Sequence, residues 1–173
     1  QIFICIEQMQ IFFVAEAEVF VSYSRADYKW VNENLLRLMD RHNITYLIDY
    51  KDFEPGRPWI ETMVDCIQRS HKVLVIMSQE YMSRKNCQAE LQQALYWARG
   101  GKRLVVLRIN NVDKGTLPGY IRNRTFIDYA DMIERQTWKK RLVNILKTAR
   151  LSNQPQISFK FSSSSDASIE TKV

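Results

Sequence analysis

Short apolar runs alternate with stretches of helical periodicity from residue 18 to residue 150. Each run is only three to six residues long and is flanked by turn or capping residues, so each is predicted to be a buried strand. The runs lie at 19–21, 44–48, 73–77, 104–109 and 125–127. Strands that alternate with helices form a parallel sheet covered on both faces. The predicted fold class is therefore α/β, a flavodoxin-like three-layer sandwich whose five-stranded parallel sheet has the order 2-1-3-4-5.

The segments between these runs have apolar residues every three or four positions. Between Ile60 and Ile67 the spacing i, i+3, i+4, i+7 occurs without a gap, which is typical of an amphipathic helix. Ser24 and Asp27 resemble a capping box, and they predict a helix whose apolar face is formed by Val31, Leu35 and Leu38. Two more helices are predicted from apolar positions at 87–98 and at 138–149.

The length of the chain fits one domain with two tails. Its 173 residues are enough for one domain of about 130 to 150 residues and two tails. The hydrophobic fraction of 46% and the charged fraction of 25% are ordinary for a globular protein with a buried core. We expect an N-terminal extension at 1–17, one domain at 18–150 and a disordered tail at 151–173. The tail is rich in serine and has little aliphatic patterning.

Charge and cysteine usage exclude several classes of function. The net charge of +6 allows an anionic partner, but the basic residues are scattered, so nucleic acid is not expected. Cys5, Cys66 and Cys87 are an odd number without metal-like spacing, which favours a reduced cytoplasmic protein without structural disulfides or a metal site. The chain has neither a Gly-x-Gly-x-x-Gly motif nor a P-loop, so no resident cofactor is expected. No apolar stretch is long enough to span a bilayer. Membrane attachment is expected only through a segment upstream of this chain.

The segment from Asp49 to Trp59 carries more chemistry than a connection needs. It follows a predicted strand and precedes a predicted helix, the position at which open α/β sheets place their working surfaces. Pro55 and Gly56 predict a turn, because proline presets φ at the first central position and glycine supplies positive φ at the second. The segment should form a stiff, projecting, charged loop suited to contacting another molecule.

The residues at the strand ends resemble those of the Toll/interleukin-1 receptor (TIR) domain family, in its animal receptor and adaptor form. The first family box matches 18–24, Glu-Val-Phe-Val-Ser-Tyr-Ser, and the second matches 51–56, Lys-Asp-Phe-Glu-Pro-Gly, with lysine replacing arginine. The third box, Phe-Trp, is half present as Thr137-Trp138. The resemblance covers about residues 18–150.

The resemblance implies a cytoplasmic module of innate-immune, Toll-like receptor signalling, or the cytoplasmic part of a membrane receptor. In this family the second-box loop, called the BB loop, is expected to drive association between TIR domains. The partners would be this chain itself, giving a homo-oligomer on activation, or the TIR domains of receptors and adaptors. The implied interface residues are Lys51, Asp52, Phe53, Glu54, Pro55, Gly56, Arg57 and Trp59.

An enzymatic alternative stays open at this point. Some TIR domains cleave NAD at the nicotinamide–ribose bond, which implies NAD as a substrate here and an NAD nucleosidase activity that assembly would switch on. By motif position the catalytic glutamate would be Glu90, although the usual tryptophan four residues earlier is Asn86. Ser24, Arg25 and Lys51 are the candidate residues for binding the dinucleotide.

Overall fold

The computed structural model describes residues 17–84, 103–113 and 119–151, together with Cys87, Gln92, Tyr96, Gly115 and Leu117. In these ranges five strands form one sheet, in which every neighbouring pair is parallel and the order is β2-β1-β3-β4-β5. The strands are β1 Ala17–Ser22, β2 Tyr46–Ile48, β3 Ser70–Met77, β4 Leu104–Arg108 and β5 Ile127–Asp128. The predicted fold class and strand order are confirmed.

Helices connect the strands and cover both faces of the sheet. Residues 25–41 form one continuous helix, α1, which begins as a 3-10 turn and contains a π-helical segment, Val31–Leu36. The other described helices are α2 Asp49–Asp52, α3 Trp59–Gln68, α4 Gln79–Ser83, α5 Gly119–Arg122 and α6 Trp138–Leu151. None of the described helices is long and apolar enough to cross a membrane.

Two apolar clusters lie on opposite faces of the sheet. On one face, Val19, Val21 and other alternate strand residues pack under α1 and α6. On the other, Phe20 and the alternate residues of β3 pack under α3, α4 and α5. Side chains of successive strand residues point to opposite faces, so a parallel sheet covered on both sides requires continuous apolar strands. This is the pattern that the sequence shows.

The second strand begins two residues later than predicted. Asn43 adopts φ 53°, in the left-handed region that commonly ends helices, and the amide of Ile44 still donates to the carbonyl of Met39 at 3.0 Å. Ile44 is therefore a buried residue of the helix-ending turn rather than of the strand. The apolar run from 44 to 48 thus serves two elements.

The predicted capping box at Ser24 and Asp27 is wrong. Ser24 is the residue before the first helical turn, but its side chain makes no capping hydrogen bond. The Asp27 carboxylate instead accepts a hydrogen bond from the Ser78 hydroxyl at 2.5 Å, across 51 positions of sequence. A tertiary contact at the carboxyl edge of the sheet therefore replaces the local one.

His71 provides a test of this packing through the pH dependence of stability. Burial and the nearby Arg103 guanidinium lower the pKa of His71. The unfolded chain then binds a proton near pH 6.5 more readily than the native state does, so stability falls as the pH drops through that value. The melting temperature of His71→Gln should fall less between pH 7.5 and 5.5 than that of the wild type. Equal falls in both proteins would contradict this account.

Candidate interaction loop

The base of the BB loop (51–59) is a helical turn closed by hydrogen bonds. The Asp52 carboxylate accepts from the backbone amide of Ile48 at 2.7 Å, and the amide of Phe53 donates to the carbonyl of Asp49 at 3.1 Å. Asp52 is half-buried and faces its own loop. The structure thus gives this carboxylate a supporting role at the base, which its position in the family box did not reveal.

Phe53 anchors the loop on the domain. Its ring stacks on that of Phe20 in β1, with centroids 6.3 Å apart and planes inclined by 8°. It is half-buried against the cluster that also contains Met63 and Ile67 of α3. Among the implied interface residues, Phe53 therefore turns inward, while Glu54 to Arg57 are exposed.

The tip of the loop, Glu54 to Arg57, is a tight turn that projects into open space. The amide of Arg57 donates to the carbonyl of Glu54 at 3.4 Å, and Gly56 has φ 90°, as a type II turn requires. A Cβ added at Gly56 would meet nothing within 4 Å. The predicted Pro55-Gly56 turn is confirmed, and all four residues are exposed.

The tip carries both signs of charge in a weak pair. An Arg57 guanidinium nitrogen lies 3.3 Å from the Glu54 carboxylate, and their side chains are 44% and 65% exposed. Exposed pairs of this kind contribute little to folding. Both groups are therefore available to exchange partners when a second surface approaches.

Trp59 and Lys51 flank the tip. Trp59 begins α3 and is 38% exposed. The Lys51 ammonium is exposed and lies 5.7 Å from the centroid of the Tyr46 ring. Burial, with Asp40 nearby, raises the pKa of Tyr46 to about 12, so this phenol stays neutral at physiological pH.

A shallow groove continues from the tip along α3. It is lined by Arg57, Ile60, Glu61, Val64, Asp65 and Gln68. Ile60 and Val64 belong to the predicted apolar face, yet both are only half-buried and open into this groove. Periodicity identified the helix, but it did not separate the core positions from those at the groove.

The residues suggested for dinucleotide binding lie in two separate places. Ser24 and Arg25 follow β1, where the Ser24 hydroxyl is buried and has no hydrogen-bond partner among the described residues. The Arg25 side chain is 76% exposed, and its Nε lies 3.5 Å from the Asp49 carboxylate. Lys51 instead lies over Tyr46. Glu90 is outside the described residues.

A buried hydroxyl network at the ends of β1 and β3 was not predicted from the sequence. Ser78 accepts a hydrogen bond from the amide of Tyr81 at 2.9 Å and donates to Asp27. The hydroxyls of Ser22 and Tyr81 are 2.9 Å apart. Burial raises the pKa of Asp27, while its bond from Ser78 opposes that rise. The network joins β1, β3 and α4 and serves the structure of the strand ends.

Comparisons with known proteins agree with the fold described above. The family model described as TIR domain matches residues 19–146. Human Toll-like receptor 6 is 25% identical over 101 residues, which are 57% of this chain and 13% of the receptor. Toll-like receptor 2 of Bos indicus is 25% identical over 105 residues, 58% of this chain and 13% of the receptor. The chain thus spans about an eighth of the length of these relatives.

Solved structures share the fold. The TIR domain of the Toll-related receptor TRR-2 from Hydra magnipapillata superposes with a TM-score of 0.68 at 21% identity, covering 76% of this chain and 98% of that one. A TIR-STING receptor from C. gigas gives 0.61 at 23% identity, covering 78% and 39%. With the match of the family model over most of the chain, these findings identify the protein as a member of the TIR domain family, related in sequence to the Toll-like receptors.

Proposed function

We propose that this TIR domain is a signalling module of the cytoplasm that associates with other TIR domains, including copies of itself, through the BB loop. The observation that carries the proposal is an exposed tip of mixed charge held by a half-buried anchor, the stacked ring of Phe53. Relatedness to Toll-like receptors favours a place in innate-immune signalling, with receptor or adaptor TIR domains as partners.

The construction of the loop suits association. Its base is fixed by the Asp52 bond and its middle by the Phe53 stack, so little conformational entropy is lost when the tip is bound. Glu54 and Arg57 present opposite charges to the partner, which orients the approach. If the tip binds a different surface on the next copy, the contact is head-to-tail and does not close, so assemblies grow.

Pro55→His tests the loop with little effect on folding. Pro55 is exposed at the first central position of the turn, so the change should shift the melting temperature by no more than about 4 °C. We expect self-association, measured by sedimentation velocity over a concentration series, to weaken at least about tenfold, or 1.4 kcal/mol.

Lys147→Glu is the matched control. Lys147 is also exposed but lies on α6, which packs on the face of the sheet opposite to Phe53, so this variant should assemble as the wild type does. If Pro55→His keeps its secondary structure and assembles as strongly as the wild type, the BB loop is not the contact surface.

NAD hydrolysis is the second candidate function, and the residues that follow β1 are the observation that favours it. The buried Ser24 hydroxyl has no hydrogen-bond partner among the described residues, and the exposed Arg25 guanidinium, next in sequence, could contact a phosphate of the dinucleotide. The test is nicotinamide release from NAD by concentrated protein and by Glu90→Ala. Loss of turnover in Glu90→Ala would support hydrolysis. Absence of nicotinamide release by assembled wild-type protein would exclude NAD hydrolysis as a function of this domain.

A further inference from the structure

Two adjacent aliphatic side chains are displayed to water on the turn between β5 and α6. Met132 is 80% exposed and Ile133 is 79% exposed, the largest values for apolar side chains in the part of the chain that the structure describes. Neither belongs to the core, and neither lies in the BB loop. We call this pair the apolar turn.

The apolar turn is held in place from both sides. The Asp131 carboxylate accepts hydrogen bonds from the amides of Ile133 at 2.9 Å and Glu134 at 3.0 Å. Arg135 donates to the carbonyl of Tyr129 at 2.7 Å, and its guanidinium lies 4.6 Å from the centre of that ring. The turn is therefore ordered by polar contacts that leave its two aliphatic side chains outside.

Basic residues follow the apolar turn in sequence. Between positions 129 and 147 the chain has five lysine or arginine residues and two acidic ones. Both acids are engaged, Asp131 by the two amides and Glu134 by Arg141 at 2.5 Å. Lys139 and Lys140 are exposed in the first turn of α6, directly after the 3-10 turn Glu134–Gln136.

We propose that the apolar turn inserts into the surface of a membrane that contains anionic phospholipid, while Lys139 and Lys140 contact the headgroups. Two aliphatic side chains offer far less area than the roughly 1,000 Å² of a stable protein interface, but they suffice for shallow insertion when cations assist. Each lysine near an anionic bilayer strengthens binding about fivefold. The membrane contact then comes from the domain itself.

The experiment is co-sedimentation of the full chain with vesicles of phosphatidylcholine alone and of phosphatidylcholine with roughly a third phosphatidylserine. The wild type should bind the anionic vesicles and bind the neutral ones at least about tenfold less. Met132→Gln/Ile133→Gln should lose at least about tenfold in binding, because it removes the apolar contribution. Lys139→Glu/Lys140→Glu should lose at least as much.

Two control variants separate the site from general properties of the protein. Arg37→Glu/Arg41→Glu changes the net charge equally at exposed positions of α1, and Tyr96→Gln removes an apolar side chain that is 76% exposed. Both should bind anionic vesicles within about threefold of the wild type.

Three outcomes would overturn the proposal. The first is absence of wild-type binding to anionic vesicles. The second is unchanged binding by Met132→Gln/Ile133→Gln. The third is weaker self-association of that variant in buffer without lipid, which would make the apolar turn a protein contact. Because Pro55→His is measured without lipid, failure here is distinct from failure of the BB-loop proposal.

Discussion

Asp128→Ala should destabilise the domain by about 3 to 5 kcal/mol, because it leaves a buried guanidinium without its counter-charge. Arg108 and Asp128 are 8% and 3% exposed, and two nitrogens of Arg108 contact the two carboxylate oxygens at 2.9 and 2.5 Å. The same carboxylate accepts from the amides of Ala130 and Asp131. Chemical denaturation of both proteins at pH 7 measures the difference.

Paired removal of both charges is the informative control. Arg108→Met/Asp128→Leu eliminates the ion pair without leaving a lone buried charge, so it should lose less stability than Asp128→Ala. The guanidinium also donates to the carbonyl of Val112 at 2.9 Å, and that contact is lost in the double variant. A loss below about 1 kcal/mol for Asp128→Ala would contradict the buried-pair account.

Trp138→Ala should also cost about 3 to 5 kcal/mol, because it empties the centre of an aromatic cluster. Trp138 is 2% exposed, and its ring lies 5.8 Å from Trp30 and 5.5 Å from Tyr129, centre to centre. The Trp30 and Tyr129 rings also contact each other at 5.0 Å in an edge-to-face geometry. The cluster ties α1, the segment after β5 and α6 together under the sheet.

Trp59→Ala is the matched control for this prediction, since Trp59 is 38% exposed at the start of α3. Its loss of stability, read from the same denaturation curves, should be clearly smaller than that of Trp138→Ala. Similar losses in the two variants would show that the cluster contributes no more than a surface tryptophan does.

The features that were predictable from the sequence are those that a local pattern encodes. The apolar strands, alternating with helical repeats such as that of α3, predicted a parallel sheet with helices on both faces. The order of its strands followed from the doubly wound arrangement of such sheets. The Pro55-Gly56 pair gave the turn at the tip of the loop, because its conformational preference is local.

The other features depend on partners that are distant in sequence. Asp27 accepts a hydrogen bond from Ser78 instead of capping its own helix, and Phe53 of the loop stacks on Phe20 of β1. The spacing of apolar residues does not specify which polar or loop residue will contact a residue that is distant in sequence. The Asp52 bond to Ile48 spans only four residues, but it depends on a helical turn that the loop composition did not predict.

The claim that one copy binds the next through residues 51–59 is tested most directly by NMR of the uniformly ¹⁵N-labelled chain over a concentration series. We predict that the amide signals of the non-proline residues in this loop shift or broaden most as the concentration rises. Those of residues 142–148 in α6, on the face of the sheet opposite to Phe53, should change little. If the loop signals stay constant while those of another surface change, the BB loop is not the contact between copies.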